Sequence, residues 1–186
     1  TFTHAAGMGL AAGLFFLLLG VLAAGPLAHL LGANAETFPL TKVYLRTLLC
    51  FGPFFVMNNV LLAFVRNDGS PGRAMCGMVV GSLSNVVMDY VFIFPLGMGM
   101  FGAALATGVS PIISILILSG HLRAPGRGFH LHRTRVQPRL VPALCTPGLP
   151  SLISEFSSGL VLLLFNQVLL RLAGNTGVAA YGIVAN

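Results

Sequence analysis

The chain has 186 residues, of which 56% are hydrophobic and only 8% are charged, and its formal net charge is +6. Soluble globular domains carry roughly 25% charged residues, so this composition excludes an ordinary soluble domain. Hydrophobic runs of about 20 residues recur along the chain, and each is long enough to cross a bilayer as a helix. The composition therefore predicts an all-α, polytopic membrane helical bundle.

Five membrane spans are predicted in chain order. They lie at about residues 5–31, 43–65, 74–94, 101–121 and 151–172, and a further helix begins near residue 178. The segment at 122–150 is rich in Arg and Pro, so we expect it to be a basic linker followed by an approach segment. Because the chain begins without Met and stops within an opening helix, we interpret it as a piece of a longer protein.

The distribution of basic residues predicts how the spans are oriented. If the loops at 66–73 and 122–139 share one side of the membrane, that side holds seven of the ten Lys and Arg residues: Arg66, Arg73, Arg123, Arg127, Arg133, Arg135 and Arg139. An excess of Lys and Arg marks the cytoplasmic side. Thr1 then lies in the cytoplasm and the turn at Gly97 faces outward. Since this orientation accounts for the net charge, we expect no nucleic-acid partner.

The third predicted span carries an informative pair of polar residues. Asn85 and Asp89 are four positions apart, so on a helix their side chains lie on one face, about 40° apart. A carboxylate within a span costs about 2.5–3.5 kcal/mol on insertion scales, so it normally faces protein or water. One interpretation is a buried Asp that is satisfied by neighbouring helices. We favour the other, an ion or substrate site within the membrane.

The fourth span places hydroxyl groups beside a proline. One stripe of this helix collects small and polar residues: Ala103, Thr107, Ser110, Pro111 and Ser114. Pro111 has no N–H, so it removes the helical hydrogen bond to the carbonyl of Thr107. Thr107 would then offer a hydroxyl and a free carbonyl oxygen, which are ligands that suit a hard cation. A simple kink at Pro111 remains an alternative.

Two other spans carry polar residues whose role the pattern leaves open. Pro53 lies inside the second span and frees the carbonyl of Leu49, and the pair Asn58 and Asn59 follows further along the helix. Paired amides at such positions join helices more often than they bind ligands. The fifth span carries Glu155, the second carboxylate within a predicted span.

Motifs of soluble enzymes do not occur in the context that their chemistry requires. Gly97–Gly102 matches the letters GxGxxG, but its flanks are membrane spans instead of a βαβ unit. Asp89 and Glu155 lie on separate spans, and neither a zinc-protease motif nor a nucleophile elbow accompanies them. His130 and His132 are a weak metal signal within a basic loop. We therefore expect neither an enzyme nor a cofactor.

Four motifs follow one another along the chain. They are Pro53–Phe55 through Ala63–Gly69, Asn85-x-x-x-Asp89-Tyr90, Gly97-Met98-Gly99-x-x-Gly102-Ala103-Ala104-x-Ala106-Thr107, and Ser154–Gly159 through Phe165-Asn166 to Gly174-Asn175. In this order they resemble the multidrug and toxic compound extrusion (MATE) family, in its MepA-type branch. The combination covers nearly all of the chain, so it is much more specific than any one motif.

The resemblance implies a fold of twelve helices in two six-helix lobes. This chain would hold helices three to seven and the start of helix eight. Residues 1–121 would be the last four helices of the N-terminal lobe, residues 122–150 the cytoplasmic linker, and residues 151–186 the start of the C-terminal lobe. The remaining helices and the lipid bilayer would be the partners of this segment, in the inner or plasma membrane of a bacterium.

The resemblance also implies roles for individual residues. The cation site of the first lobe would fall on Asn85, Asp89 and Thr107, joined by Asn58 or Asn59. A Na⁺ ion at the first three of these residues is the only metal that we expect. Glu155 would take a position that is implicated in the second lobe of some family members.

The function expected from this resemblance is multidrug efflux. The transporter would export drug-like, often cationic organic compounds by antiport with H⁺ or Na⁺. One alternative is a lipid-linked oligosaccharide flippase of related architecture, which would want Arg or Lys within its spans, whereas this chain is predicted to have none at mid-span. The other is a structural or channel-like membrane protein in which Asp89 only joins helices.

Overall fold

The computed structural model describes residues 2–122, 128, 142 and 145–185. The elements within these residues are α1 (Phe2–Leu30), α2 (Phe38–Cys50), α3 (Gly52–Asn67), α4 (Pro71–Ile93), α5 (Gly99–Leu122), a 3₁₀ turn (Thr146–Gly148) and α6 (Leu149–Ala185). Among them, α1, α4, α5 and α6 are each long and apolar enough to cross a membrane, and α2 and α3 together form a fifth, broken span. The predicted all-α membrane bundle is confirmed.

Helix α1 packs against α2 and α3 through a stripe of small residues. Its buried Gly and Ala positions recur at spacings of three, four or seven: Ala6, Gly9, Gly13, Gly20, Ala24 and Ala28. A Cβ atom on Gly13 would overlap the backbone of Pro53, and one on Gly9 would lie 3.2 Å from the side chains of Val56 and Val60. Small residues allow this close approach, which drives helix association in lipid through van der Waals packing.

The span predicted at about residues 43–65 is a broken helix instead of one helix kinked at Pro53. Helices α2 and α3 meet at an angle of 49°. The break falls at Phe51, whose N–H donates to the carbonyl of Leu48 at 3.1 Å. Pro53 therefore occupies the first turn of α3, where the missing N–H costs no hydrogen bond. The ring of Phe51 packs on Gly108 of α5, where a Cβ atom would not fit.

Helices α4 and α5 form a closely packed antiparallel hairpin. Gly77 and Gly81 on α4 face Leu118 and Ser114 on α5, and a Cβ atom on either glycine would lie 3.2–3.3 Å from those side chains. The turn between the helices has positive φ angles, 61° and 53°, at the two glycines of residues 97–99. Glycine adopts such angles without steric cost, so an uncharged turn can reverse the chain here.

A small apolar core lies at one end of the bundle. It consists of the buried side chains of Phe2, Leu61, Val65, Ala74 and Leu118. These residues belong to the start of α1, the end of α3, the start of α4 and the end of α5, so four helix ends meet there. The α1–α2 loop and the α4–α5 turn consequently lie at the opposite end. The distribution of basic residues predicts that the core end is cytoplasmic.

Large apolar side chains cover much of the outer surface of the helices. Leu22, Phe94 and Leu172 are 78%, 71% and 79% exposed. In water such surfaces would drive association. In a bilayer such surfaces are stable, because lipid tails are as apolar as these side chains.

Helix α6 stands apart from the other helices. It is interrupted at Gly174, whose φ of 62° and ψ of −159° form a conformation that is essentially restricted to glycine. Residues 151–162 are all exposed, and partial burial begins at Leu163. Helix α6 therefore approaches α1–α5 only toward its C-terminal part.

Candidate ion-binding site

Asn85 and Asp89 lie on α4, near the face that packs toward α5. The buried residues of this helix are Ala74, Gly77 and Gly81. Positions 85 and 89 follow Gly81 at intervals of four residues, each about 40° further round the helix, and both side chains are half-buried. Asp89 lies one turn before the end of α4 at Ile93, so it falls in the half of the helix next to the α4–α5 turn, which is predicted to be the external half.

Each of these two side chains has a buried atom without a hydrogen-bond partner among the described residues. The atoms are Oδ1 of Asp89 and Nδ2 of Asn85. A buried polar group left unpaired costs about 1–3 kcal/mol, so folded proteins rarely retain one without a reason. The carboxylate oxygen can accept a proton or coordinate a cation, whereas the amide nitrogen can only donate. Asp89 can therefore bind a cation, while the amide nitrogen of Asn85 can donate a hydrogen bond to a polar group of a second ligand.

The structure corrects the prediction of a free carbonyl at Thr107. Pro111 does leave that carbonyl without its helical donor, but the hydroxyl of Ser110 donates to it at 3.2 Å. The hydroxyl of Thr107 in turn donates to the carbonyl of Ala103 at 2.9 Å. Both oxygens of Thr107 keep a lone pair, so either can still be a ligand, but neither is without an internal hydrogen bond.

Thr107 lies at the depth of the Asn85–Asp89 stretch. Two contacts between the antiparallel helices α4 and α5 bracket it, Gly81 with Ser114 on one side and Phe92 with Gly102 on the other. Within the part of the chain that the structure describes, no hydrogen bond joins Thr107 to either residue. The structure thus brings the three predicted residues to one stretch of the helix interface without joining them directly.

The two candidate amides on α3 have different surroundings. Asn58 is half-buried, and its buried Oδ1 has no partner among the described residues. Asn59 is exposed, and its Nδ2 donates to the carbonyl of Phe55 on its own helix at 3.0 Å. Since α3 packs against α1, α4 and α5, a buried side chain on it lies within the bundle. The geometry therefore favours Asn58 over Asn59 as a ligand.

Ser114 carries a further buried oxygen without a partner in the described part of the chain. Its side chain is 2% exposed and packs beside Gly77 and Gly81. Sequence analysis placed Ser114 on the polar stripe of α5 but assigned it no role. The signal that could have found it is the spacing of Thr107, Ser110 and Ser114, which puts three hydroxyl groups on one helical face.

Glu155 is not part of this cluster. It lies in the exposed stretch of α6 at residues 151–162, away from α1–α5. No hydrogen bond or ion pair involves it among the residues that the structure describes. The role that the resemblance implies for Glu155 in a second lobe stays a prediction.

Sequence analysis missed a polar network at the predicted cytoplasmic end of the bundle. The Nε2 atom of His121 lies 2.7 Å from Oδ2 of Asp68. Arg73 Nη1 lies 3.3 Å from the other ring nitrogen of His121. The N–H of Gly128 donates to the Asp68 carboxylate at 2.8 Å. The sequence signal is an acidic residue, Asp68, between Arg66 and Arg73.

The predicted linker falls mostly outside the described residues. This applies to the basic and histidine side chains singled out there: Arg123, Arg127, His130, His132, Arg133, Arg135 and Arg139. Among the residues that are described, no group of three or more His, Cys, Asp or Glu side chains is arranged to hold a metal ion.

Known proteins resemble this chain in sequence and in structure. The MatE family model matches residues 1–91. The multidrug export protein MepA of Staphylococcus saprophyticus is 29% identical over 177 residues, and MepA of Staphylococcus aureus is 28% identical over the same length. A solved structure described as the inward-facing conformation of a multidrug resistance MATE family transporter is 30% identical, with a TM-score of 0.90 over 97% of this chain. The chain belongs to the MATE family.

This MATE chain spans about two fifths of the length of its relatives. The alignments cover 94% of the chain but only 39% of each MepA protein, and 42% of the inward-facing transporter. A second solved structure, described as the outward-facing conformation of a MATE family transporter, has a TM-score of 0.80 at 30% identity. The predicted family is confirmed, and the chain is a multi-pass membrane protein of the kind found in the bacterial plasma membrane.

Proposed function

We propose that this MATE chain is part of a multidrug efflux transporter that exports drug-like, often cationic organic compounds by antiport with H⁺ or Na⁺. The names of the MepA relatives and of the multidrug resistance MATE structures support this class of substrate. The observation that carries the coupling part is the buried carboxylate oxygen of Asp89 beside Asn85, which has no hydrogen-bond partner within the described part of the chain. Thr107 and Asn58 complete the proposed cation site, and no cofactor besides the coupling ion is required.

The coupling follows from the cost of an unpaired buried carboxylate. A proton or cation on Asp89 satisfies Oδ1, whereas its departure leaves a charged group that favours an arrangement with better hydration. Antiport requires that the cation and the drug stabilise different arrangements of the transporter. A site at the α4–α5 interface suits antiport, because any change in how these two helices pack changes the surroundings of Asp89 directly.

We also infer that the chain has the arrangement of an inward-facing transporter. The TM-score is 0.90 against the inward-facing structure and 0.80 against the outward-facing one. Sequence identity is 30% and coverage of this chain is 97% in both comparisons. Because identity and coverage are equal, the higher TM-score supports the inward-facing arrangement of the helices.

Arg46 bears on the flippase alternative, which would want Arg or Lys within its spans. The predicted start of the second span near residue 43 puts Arg46 close to the membrane surface. Helix α2 instead begins at Phe38, so Arg46 lies in its third turn. There it lines an open cleft of about 440 Å³ together with Phe51 and Phe101. A basic residue does lie within the broken span, so the choice between drug export and lipid flipping depends on the transport assay.

The test is ethidium efflux from cells that express the full-length gene product as wild type, Asp89→Asn or Ser82→Ala. Ser82 is exposed on the same helix, so it controls for the effect of a substitution in α4. We expect Asp89→Asn to slow efflux by about tenfold or more at equal membrane expression, because it removes the ionisable ligand. Ser82→Ala should pump as the wild type does.

Collapsing the pH gradient and the sodium gradient in separate experiments identifies the coupling ion. Efflux by Asp89→Asn at the wild-type rate would show that the site is assigned wrongly. If the wild type exports no cationic dye, the flippase or structural alternative replaces multidrug export.

A further inference from the structure

A hydrogen-bonded cluster joins the α1–α2 loop to α6. Asn34 Nδ2 donates to Asn175 Oδ1 at 2.8 Å, and Asn175 Nδ2 donates to Glu36 Oε2 at 2.7 Å. The partners are 141 and 139 positions apart in the sequence. Among the described residues, these are the only hydrogen bonds between α6 and the segment that contains α1–α5.

The α1–α2 loop holds the amide of Asn34 in a defined orientation. The N–H of Thr37 donates to Asn34 Oδ1 at 2.9 Å, and the Thr37 hydroxyl donates to the same oxygen at 2.9 Å. The N–H of Asn34 donates back to the Thr37 hydroxyl at 3.1 Å. Because a backbone N–H can only donate, the amide atom of Asn34 that it meets must be the oxygen. The nitrogen then faces Asn175, and the remaining amide nitrogen of Asn175 faces a carboxylate that can only accept.

Gly174 presents Asn175 to this loop. Its positive φ interrupts α6 immediately before Asn175, in a conformation that other residues adopt only with strain. Asn175 consequently lies at a break between two helical pieces, where its side chain reaches Asn34 and Glu36.

The hydrogen-bonded cluster of Asn34, Glu36 and Asn175 lies at only one end of the helices. The α1–α2 loop is at the end opposite the apolar core and the Asp68–His121 pair, so it is predicted to lie on the external side. Below the cluster, a cleft of about 320 Å³ separates α6 from the α1–α2 loop, lined by Leu31, Thr41 and Leu170 among others. Further toward the predicted cytoplasmic end, residues 151–162 of α6 are all exposed. The two parts therefore touch at their external ends and stand apart elsewhere.

We propose that Asn34, Glu36 and Asn175 form an external latch, a contact that holds α6 against the α1–α2 loop in the inward-facing arrangement and breaks when the transporter opens outward. This inference rests on the proposed transport function, which requires alternation between the two arrangements. The family resemblance assigns α1–α5 and α6 to different lobes, so the latch would join the lobes. Its two hydrogen bonds are lost in any arrangement that separates the external ends, and the outward-facing arrangement is thereby disfavoured.

The test measures the distance between the external ends by electron paramagnetic resonance on the full-length protein. Native cysteines, including Cys50, Cys76 and Cys145, are replaced by Ala, and spin labels are attached at Leu30→Cys and Leu172→Cys, both exposed. Distance distributions are compared for this background alone, with Asn175→Ala, with Asn34→Ala and with Thr176→Ala. Thr176 is the exposed neighbour of Asn175 and serves as the matched control.

We expect Asn175→Ala to raise the ratio of long to short distances by about tenfold, because it removes both hydrogen bonds of the latch, one of them to a carboxylate. Asn34→Ala removes one bond and should give a smaller rise, and Thr176→Ala should give none. If Asn175→Ala does not reach the membrane, Glu36→Ala on the exposed loop replaces it, with an expected rise similar to that of Asn34→Ala. Unchanged distributions in the latch variants that reach the membrane would overturn the proposal.

The distance measurement does not depend on transport, so it separates this inference from the proposed function. Efflux by the wild type together with unchanged distances would reject the latch and leave multidrug export intact. A shift in distances in a protein that exports no dye would reject the function and keep the contact between the two parts.

Discussion

Among the residues that the structure describes, four buried polar atoms without hydrogen-bond partners lie on three neighbouring helices. They are Asn58 Oδ1, Asn85 Nδ2, Asp89 Oδ1 and Ser114 Oγ. Left unpaired, each costs about 1–3 kcal/mol, and that cost would be repeated four times in one small bundle. A hydrated cation can satisfy several such atoms at once, since it binds oxygens directly and its waters bind the rest. Each of these atoms therefore needs a partner that the described residues do not supply, which is the physical reason to test these positions for a role in cation binding.

The difference between Asn58 and Asn59 leads to a prediction about single residues. Asn58→Ala should slow ethidium efflux by about fivefold or more, because it removes a buried ligand oxygen, and Asn59→Ala should not. Initial rates of efflux, normalised to the amount of protein in the membrane, provide the measurement. Equal rates in the two variants would show that α3 contributes no ligand to the site.

Helix α1 shows how small residues set the geometry of whole elements. Its glycines allow α2 and α3 to lie against its backbone, and the break between those two helices places Phe51 on Gly108 of α5. Each contact depends on the absence of a side chain at one position. Because helices in lipid gain little from excluding water, the quality of this packing determines how stably they associate.

Substitution of Gly13 tests this packing against a matched position on the same helix. Gly13→Val should lower the free energy of unfolding by about 1–3 kcal/mol, because the added atoms would overlap the backbone of Pro53. Gly7→Val introduces the same side chain where no atom lies within 4 Å, so it should have little effect. Thermal unfolding of the two purified variants in detergent gives the comparison. Equal melting temperatures would mean that α1 is free to move away from α3.

Across the whole molecule, different polar groups hold the two ends of the bundle. The network of Asp68, His121 and Arg73 ties the end of α5 to the α3–α4 loop at the predicted cytoplasmic end. The external latch instead ties the α1–α2 loop to α6. The Asp68 network therefore stabilises the unit of α1–α5 internally, whereas the latch joins that unit to α6. Such a division suits a transporter whose lobes move as rigid bodies.

Asp68 offers a test of the internal network. Its side chain is 16% exposed and that of His121 is 7% exposed, so removing the carboxylate leaves a mostly buried ring nitrogen without this partner. Asp68→Ala should therefore destabilise the protein by about 1–3 kcal/mol. Asp68→Asn should cost less, because its amide oxygen can still accept a hydrogen bond.

Melting temperatures of these two variants are compared with that of Asn67→Ala, a change at the exposed neighbouring position. A similar melting temperature for Asp68→Ala and Asn67→Ala would show that the network contributes nothing to stability.

The sequence by itself determined the class of protein, the approximate spans and the family. Bilayer thickness imposes a length on each apolar run, so residues that span the membrane are visible without any contact information. The motif order from Pro53 to Asn175 indicated the family, and the pair Asn85 and Asp89 stood out because a carboxylate in lipid needs an explanation.

Only the tertiary structure decided which of these residues are buried and which hydrogen-bond partners they have. In the structure, Asn58 is half-buried in the bundle and Asn59 is exposed. The hydroxyl of Ser110 donates a hydrogen bond to the carbonyl of Thr107. The structure also joins Asn34 to Asn175 across 141 positions. Helical periodicity assigns a residue to a face of its own helix but does not say which neighbour that face meets. Hydrogen-bond partners depend on that neighbour, so they follow from the packing of helices that are distant in the sequence.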